Sequence, residues 1–209
     1  MYKVIALAGK AGSGKDTILR EVIAAAPDRF HEIISATTRP PREGEIDGKD
    51  YYFLKPLKLT NSFAHDLSKG ILGTFEGKRI EFLEVTNFNG WFYGTPTSSL
   101  VEDKVNIGVF NPAGLRSLSA SPQVSLAIVY VKTDDKIRLL RQLNRENNPD
   151  VKEIIRRFSA DEDDFRNFDD EFKSYHLINN DINDLRCAAK TVMAEADNAF
   201  GRNQLKDNL

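Results

Sequence analysis

Apolar residues recur along the chain in two different periods. Val4-Ile5-Ala6-Leu7-Ala8 is an unbroken apolar run bordered by glycine-rich sequence, the pattern of a strand buried on both faces. Ile18, Leu19, Val22 and Ile23 then fall at helical spacing between Thr17 and Ala26, and Pro27 follows where a helix stops. Short β-branched runs predict further strands at His31 to Ser35, Val105 to Phe110, Ser125 to Val131 and His176 to Ile178. Charged, helix-spaced segments predict helices over 134–145, 151–168 and 182–200, with a frayed tail beyond Gly201. Residues 37–50 carry Pro40, Pro41, Gly44 and Gly48 among charges and read as a long polar loop. From 51 to 94 the pattern is mixed, with strands at 51–54, 79–85 and 91–93 and a helix near Asn61 to Lys69. Strands that alternate with helices on both sides of this stretch predict an α/β fold with a mostly parallel sheet flanked by helices and a small inserted subdomain.

Composition narrows the partners. With 209 residues and 41% hydrophobic side chains the chain can build one core without a staple. Its 29 basic and 31 acidic residues leave a net charge of −2, so no overall field favours nucleic acid or an anionic membrane, and any anion must be held locally. Cys187 is the single cysteine, and no apolar run reaches the roughly 18 residues of a membrane span. A soluble protein in the reducing cytoplasm is expected, a monomer or homodimer. His31, His65 and His176 lack metal-ligand spacing, and no pair of nucleophile and base stands out.

Gly9-Lys10-Ala11-Gly12-Ser13-Gly14-Lys15 matches the G-x-x-x-x-G-K phosphate loop directly after a buried strand and at the start of a helix. Successive backbone N–H groups there form an anion nest, the helix N-terminus adds its positive end, and Lys15 brings a mobile charge. Ala11, Gly12, Ser13, Gly14, Lys15, Asp16 and Thr17 are therefore the expected ATP-binding segment. Asp16 replaces the usual hydroxyl residue after the lysine, so Asp16 and Thr17 are the candidates for Mg²⁺, either through water or with Asp16 simply capping the helix. Further on, Arg39 and Arg42 on proline-stiffened backbone, with Tyr51 nearby, supply forked donors and a phenol for a second phosphate. Two phosphate sites together imply phosphoryl transfer.

The segment Thr37 to Tyr51 resembles the guanylate kinase family, matching T-T-R-x-x-R-x-G-E-x-x-G-x-D-Y at every fixed position. The resemblance extends from Met1 to about Phe200 and implies a P-loop NTPase core (1–34 and 96–209), an NMP-binding subdomain (35–95) and a helical lid near 138–158. It implies that Ser35, Arg39, Arg42 and Tyr51 grip the GMP phosphate, with Tyr93 alongside. Phe82-Leu83-Glu84 and Gly90-Trp91-Phe92-Tyr93-Gly94-Thr95 look like the family's base-reading strands. Glu84 would then accept from the N1–H and 2-amino edge of guanine, and Thr95 would bond the base. Asn111 stands where the family has a carboxylate near guanine. Arg145 and Arg157 correspond to lid arginines, whereas Arg138 and Arg156 read as charges facing water. Asn179, in Ile178-Asn179-Asn180-Asp181, corresponds to an asparagine near adenine, or caps the last helix. The implied reaction is Mg²⁺-dependent transfer from ATP to GMP or dGMP, with Lys15, Arg39, Arg42, Arg145 and Arg157 around the moving group. Three alternatives remain at this point: a deoxynucleoside monophosphate kinase of broader base tolerance, a ribose 1,5-bisphosphate kinase, and a non-catalytic protein-binding module.

Overall fold

The structure is a computed structural model that describes residues 1–42, 44–54, 71–75, 78–88, 90–145, 147–181 and 184–201, with backbone alone at 71–75, 78, 79 and 88. The helix expected near Asn61 to Lys69, Ile182 and the tail from 202 lie outside the described residues, as do Glu43 and Glu146.

Two five-stranded sheets organise the chain. The first has the order β10-β9-β1-β8-β2 and is parallel throughout. Its strands are β1 (Tyr2–Ala8), β2 (Phe30–Glu32), β8 (Val105–Val109), β9 (Val124–Lys132) and β10 (Tyr175–Ile178). β1 is central, with Val4, Ile5, Ala6, Leu7 and Ala8 all without exposed surface. An uninterrupted apolar run suits such a strand because helices cover both faces. On one face Ile5 and Leu7 pack with Ile18, Leu19 and Val22 of α1 (Lys15–Ala25) and Ala188, Ala189, Val192 and Ala196 of α6 (Leu185–Phe200). On the other, Val4, Ala6 and Ala8 meet Leu115 and Leu118 of α2 (Pro112–Ala120) and the aromatic group Phe165, Phe168 and Phe172.

That aromatic group divides the helix expected over 151–168. α4 (Val151–Asp164) ends before Phe165, and α5 (Phe168–Glu171) follows. Phe165 and Phe168 pack on Tyr130 of β9 with ring centroids 5.5 and 4.3 Å away.

The second sheet has the order β4-β3-β7-β6-β5. It comprises β3 (Ala36–Thr37), β4 (Tyr52–Phe53), β5 (Ile71–Phe75), β6 (Lys78–Phe88) and β7 (Trp91–Pro96), antiparallel except for β3 with β4. The strand expected at His31 to Ser35 is shorter because the chain leaves the first sheet after Glu32 and joins the second at Ala36. α3 (Asp135–Leu143) follows β9 and runs beside the loop after β1.

Candidate active site

A cavity of about 350 Å³ opens between the two sheets and is lined by Gly9, Ala11 and Lys15 on one side and by Ser35, Arg39, Arg42, Tyr51, Glu84 and Tyr93 on the other. Asn111, Arg157, Asp161 and the single tryptophan, Trp91, complete its rim.

The phosphate loop turns through Gly12 at φ 79° and Gly14 at φ 91°, backbone that favours glycine. Space imposes the same choice at Gly12, where a Cβ would lie 2.6 Å from Arg138 O. Asn179, 3% exposed, braces the loop by donating from Nδ2 to Ser13 O at 2.7 Å. Arg141 Nη1 donates to Asn179 O at 3.1 Å and reaches Gly12 O at 3.4 Å. Asn179 thus touches the loop's rear, and the residue preceding α6 is Asp184. Lys15 Nζ is turned back on the loop, donating to Gly9 O at 2.7 Å and Lys10 O at 3.1 Å. Burial lowers the pKa of this amine, against the opposing pull of Asp16 and Asp161.

The arginine loop is fastened to the second sheet by its two threonines. Thr37 Oγ1 donates to Phe92 O at 2.9 Å and accepts from Arg39 N, while Thr38 Oγ1 accepts from Phe92 N at 2.9 Å. Glu45 then takes Arg39 in a two-bond fork, Nη1 to Oε2 and Nη2 to Oε1, each 2.9 Å, and also accepts from Arg42 N at 2.7 Å. Burial opposes the charge of Arg39, yet Glu45 and Tyr93 outweigh it and raise the pKa. The guanidinium lies 5.4 Å from the Tyr51 ring centroid and 5.7 Å from that of Phe53. Burial pushes the Tyr51 phenol up to about 12, so it stays a donor at neutral pH. Arg42 is depressed by desolvation first, then by Arg157 and Arg39. The charges of Arg39 and Arg157 beside Arg42 leave this side of the cavity with positive charge suited to an anion.

Glu84 and Thr95 face each other across β6 and β7, 7% and 0% exposed. Burial pushes the Glu84 carboxyl up to about 7, although Thr95 opposes it with hydrogen bonds. Gly114 keeps the second oxygen clear, since a Cβ there would lie 3.4 Å from Glu84 Oε2. Asn111 caps α2 by accepting from Gly114 N at 2.8 Å, which uses one of the two acceptor positions of its carbonyl.

Arg157 lines the cavity while donating to Glu153 Oε1 at 2.6 Å; hydrogen bonding by Arg156, and then by Arg157, holds Glu153 down at about 2. Arg145 stands apart, exposed just beyond α3 and outside the cavity lining. Arg138 differs from its water-facing expectation: it is 1% exposed, 3.8 Å from Asp161 and 3.5 Å from Glu162. Arg141, Asp161 and Glu45 received no role in the sequence reading, and Arg138 received a surface one. Arg138 and Arg141, at i and i+3, share one side of α3, but that spacing does not say whether the side faces water or the phosphate loop.

For Mg²⁺ the donor chemistry is suitable without a preformed cage. Asp16 and Thr17 are exposed on the first turn of α1, and Asp16 lies near enough to Glu32 that, after burial, it and Asp50 raise that carboxyl's pKa. No cluster of three His, Cys, Asp or Glu side chains fit for a metal occurs among the described residues. Oxygen donors with room for water and substrate phosphates fit a Mg²⁺ that retains several waters.

A glycine-rich loop between a buried parallel strand and a helix, opposite converging arginines, defines an α/β P-loop kinase. A family model of guanylate kinases matches residues 1–196. A guanylate kinase of Trichormus variabilis is 30% identical over 184 residues, covering 82% of this chain and 84% of that one. One from a Synechococcus strain is 40% identical over 106 residues, 51% of this chain and 49% of its own, so that match spans about half the relative's length. The solved guanylate kinase of Anaplasma phagocytophilum shares the fold at a TM-score of 0.60 with 18% identity, over 95% of this chain and 87% of that one. The chain belongs to the guanylate kinase family. No helix among the described residues is long and apolar enough to cross a membrane.

Proposed function

We propose that this chain transfers the γ-phosphoryl group of ATP to GMP or dGMP. The observation that carries the assignment is that Lys15 of the phosphate loop and the converging Arg39, Arg42 and Arg157 line one cavity, with Glu84 set to its side. ATP phosphates lie on the nest from Ala11 to Thr17, where Lys15 leaves the loop carbonyls for the phosphate oxygens. The acceptor phosphate lies between Arg39 and Arg42 with Ser35, Tyr51 and Tyr93 alongside. Ionised Glu84 accepts two parallel bonds from guanine, with Thr95 and Asn111 beside it, a match adenine cannot make. Asn179 serves the donor site by holding the loop's shape. Transfer is dominated by alignment and electrostatics, and needs no general base because the acceptor phosphate is already anionic. Asp16 and Thr17 would hold Mg²⁺ through water, and the ion bound with the nucleotide would supply neutralisation of phosphate charge. Functionally, the second sheet is the acceptor-binding unit, and α3 with α4 is the lid that carries Arg145 and Arg157 inward.

The test is an ATP-dependent phosphorylation screen over the common ribo- and deoxynucleoside monophosphates and ribose 1,5-bisphosphate. GMP and dGMP should turn over well above the rest. Equal turnover of AMP would remove the guanine assignment and favour a kinase of broad base tolerance, a reading supported by Asn111, an amide in place of a carboxylate. Inactivity with all acceptors would favour a protein-binding role.

A further inference from the structure

At the end of the phosphate loop that faces the acceptor arginines, a side chain already occupies the anion position. Asp161 Oδ2 of α4 accepts a hydrogen bond from Ala11 N–H at 2.6 Å. Asp161 is 9% exposed and lines the cavity together with Gly9, Lys15, Arg42 and Arg157. A carboxylate on a phosphate-loop amide makes the same charge-assisted bond as a phosphate oxygen, and the two cannot use that N–H together.

Behind Asp161 stands Arg138 of α3. Its nitrogens lie 3.8 Å from Asp161, 3.5 Å from Glu162 and 3.3 Å from Asp135, and its guanidinium is 4.3 Å from the Phe158 ring centroid. Nε, Nη1 and Nη2 are all buried without a hydrogen-bond partner among the described residues. A buried guanidinium held by charge alone forgoes every directed bond its fork can make, a costly state unless a ligand completes it. Lys15, turned onto Gly9 O and Lys10 O, likewise lacks an anion. A permanent strut between α4 and the loop would have no reason to leave both cations without directed bonds to an anion; a temporary occupant of the phosphate position does.

We propose that Asp161 is an internal competitor for the triphosphate. ATP displaces its carboxylate from Ala11 N–H, and Arg138, relieved of Asp161, turns its unpartnered nitrogens onto the donor phosphates. α4 therefore detaches from the phosphate loop as the nucleotide binds, coupling donor occupancy to the position of Arg157 on the same helix. This rests on the donor-site assignment made above.

Calorimetric titration of ATP and of inorganic tripolyphosphate tests it, with wild type, Asp161→Ala and Asp161→Asn compared and folding checked by thermal melts. Both substitutions should tighten both ligands roughly tenfold, the scale of one charge-assisted bond, with no comparable gain for GMP. Asp161→Asn keeps the shape and guards against misfolding of the alanine variant. In the Asp161→Ala background, Arg138→Met should abolish the gain. ATP binding equal to or weaker than wild type in folded Asp161 variants would overturn the competition, and a gain indifferent to Arg138→Met would overturn the role of Arg138. Failure of wild type to bind ATP or tripolyphosphate would instead defeat the donor-site assignment itself.

Discussion

Thr95 Oγ1 donates a 2.7 Å hydrogen bond to Glu84 Oε1 across β6 and β7. That bond is too little to offset burial, so the carboxyl rises from an ordinary 4.5 to about 7 in the nucleotide-free chain. Between those values the native state retains a proton that the unfolded chain has lost. The resulting contribution to stability is complete below about pH 4.5 and is lost as pH rises through 7.

On the proposed reading guanine needs the ionised carboxylate, and its binding would release this proton. GMP affinity should weaken about tenfold per unit as pH falls below 7, the slope of a one-proton linkage. Calorimetry in buffers of different ionisation enthalpy would detect the released proton. An affinity flat from pH 5.5 to 8 would rule out Glu84 as the titrating guanine acceptor.

Glu84→Gln turns one acceptor into a donor aimed at guanine's own donors. The loss in kcat/KM for GMP should be on the order of 10² to 10⁵, as for other buried polar edges left unmatched, and the pH dependence should go with it. Unchanged discrimination between GMP and AMP would place base reading elsewhere.

Glu45 does for Arg39 what no single bond could do, fixing the plane of the guanidinium through both terminal nitrogens. Glu45→Gln halves the fork and removes its charge. KM for GMP should rise about 10- to 100-fold, the equivalent of the 1.5–3 kcal/mol of a charged hydrogen bond, while KM for ATP moves far less. Steady-state kinetics with each substrate varied in turn distinguishes this from general destabilisation, which would not separate the two.

Local chemistry made some of these parts legible in the sequence and left others hidden. Val4 to Ala8 and the glycines after it announce a buried strand and an anion nest because strand burial and loop curvature are both written within fifteen residues. Arg39, Arg42 and Tyr51 were readable for the same reason. Arg138 and Asp161 are 23 residues apart, and their pairing depends on how α3 and α4 pack. Arg138 lies on the charged side of α3 with Asp135 and Arg141, so periodicity gave no warning that this arginine is turned inward. The resemblance put Asn179 near adenine or at a helix cap; its amide bond to Ser13 O is a further contact, between the end of β10 and the loop after β1, that no local pattern encodes.

Gly12 makes the curvature of the phosphate loop testable. Alanine there meets both φ 79° backbone and a carbonyl, Arg138 O, 2.6 Å from the added carbon. Left-handed backbone alone costs roughly 1–2 kcal/mol for a residue with a Cβ, and backbone against backbone leaves no flexible side chain to yield. Gly12→Ala should lower the melting temperature and weaken ATP binding together, whereas Gly44→Ala, equally left-handed at φ 82° but with open space around it, should lower stability alone. Equal effects of both variants on ATP binding would show that the close approach of α3 to the loop is unimportant.

Lys15 separates the donor site from the acceptor site. Its amine is bonded to loop carbonyls and shares the cavity with the acceptor arginines, so removing it deletes the charge that bridges donor phosphates without touching the grip on GMP. Lys15→Ala should reduce kcat by on the order of 10² or more with every acceptor alike, the scale on which a preorganised cation stabilises transition-state charge. GMP binding should stay near its wild-type value. Loss of the two carbonyl contacts also loosens the loop, so Lys15→Met, which keeps most of the length and apolar stem, isolates the charge from the packing. If Lys15→Met retained wild-type turnover, transfer would have to be driven by the arginines alone, and the phosphate loop would be reduced to a binding element.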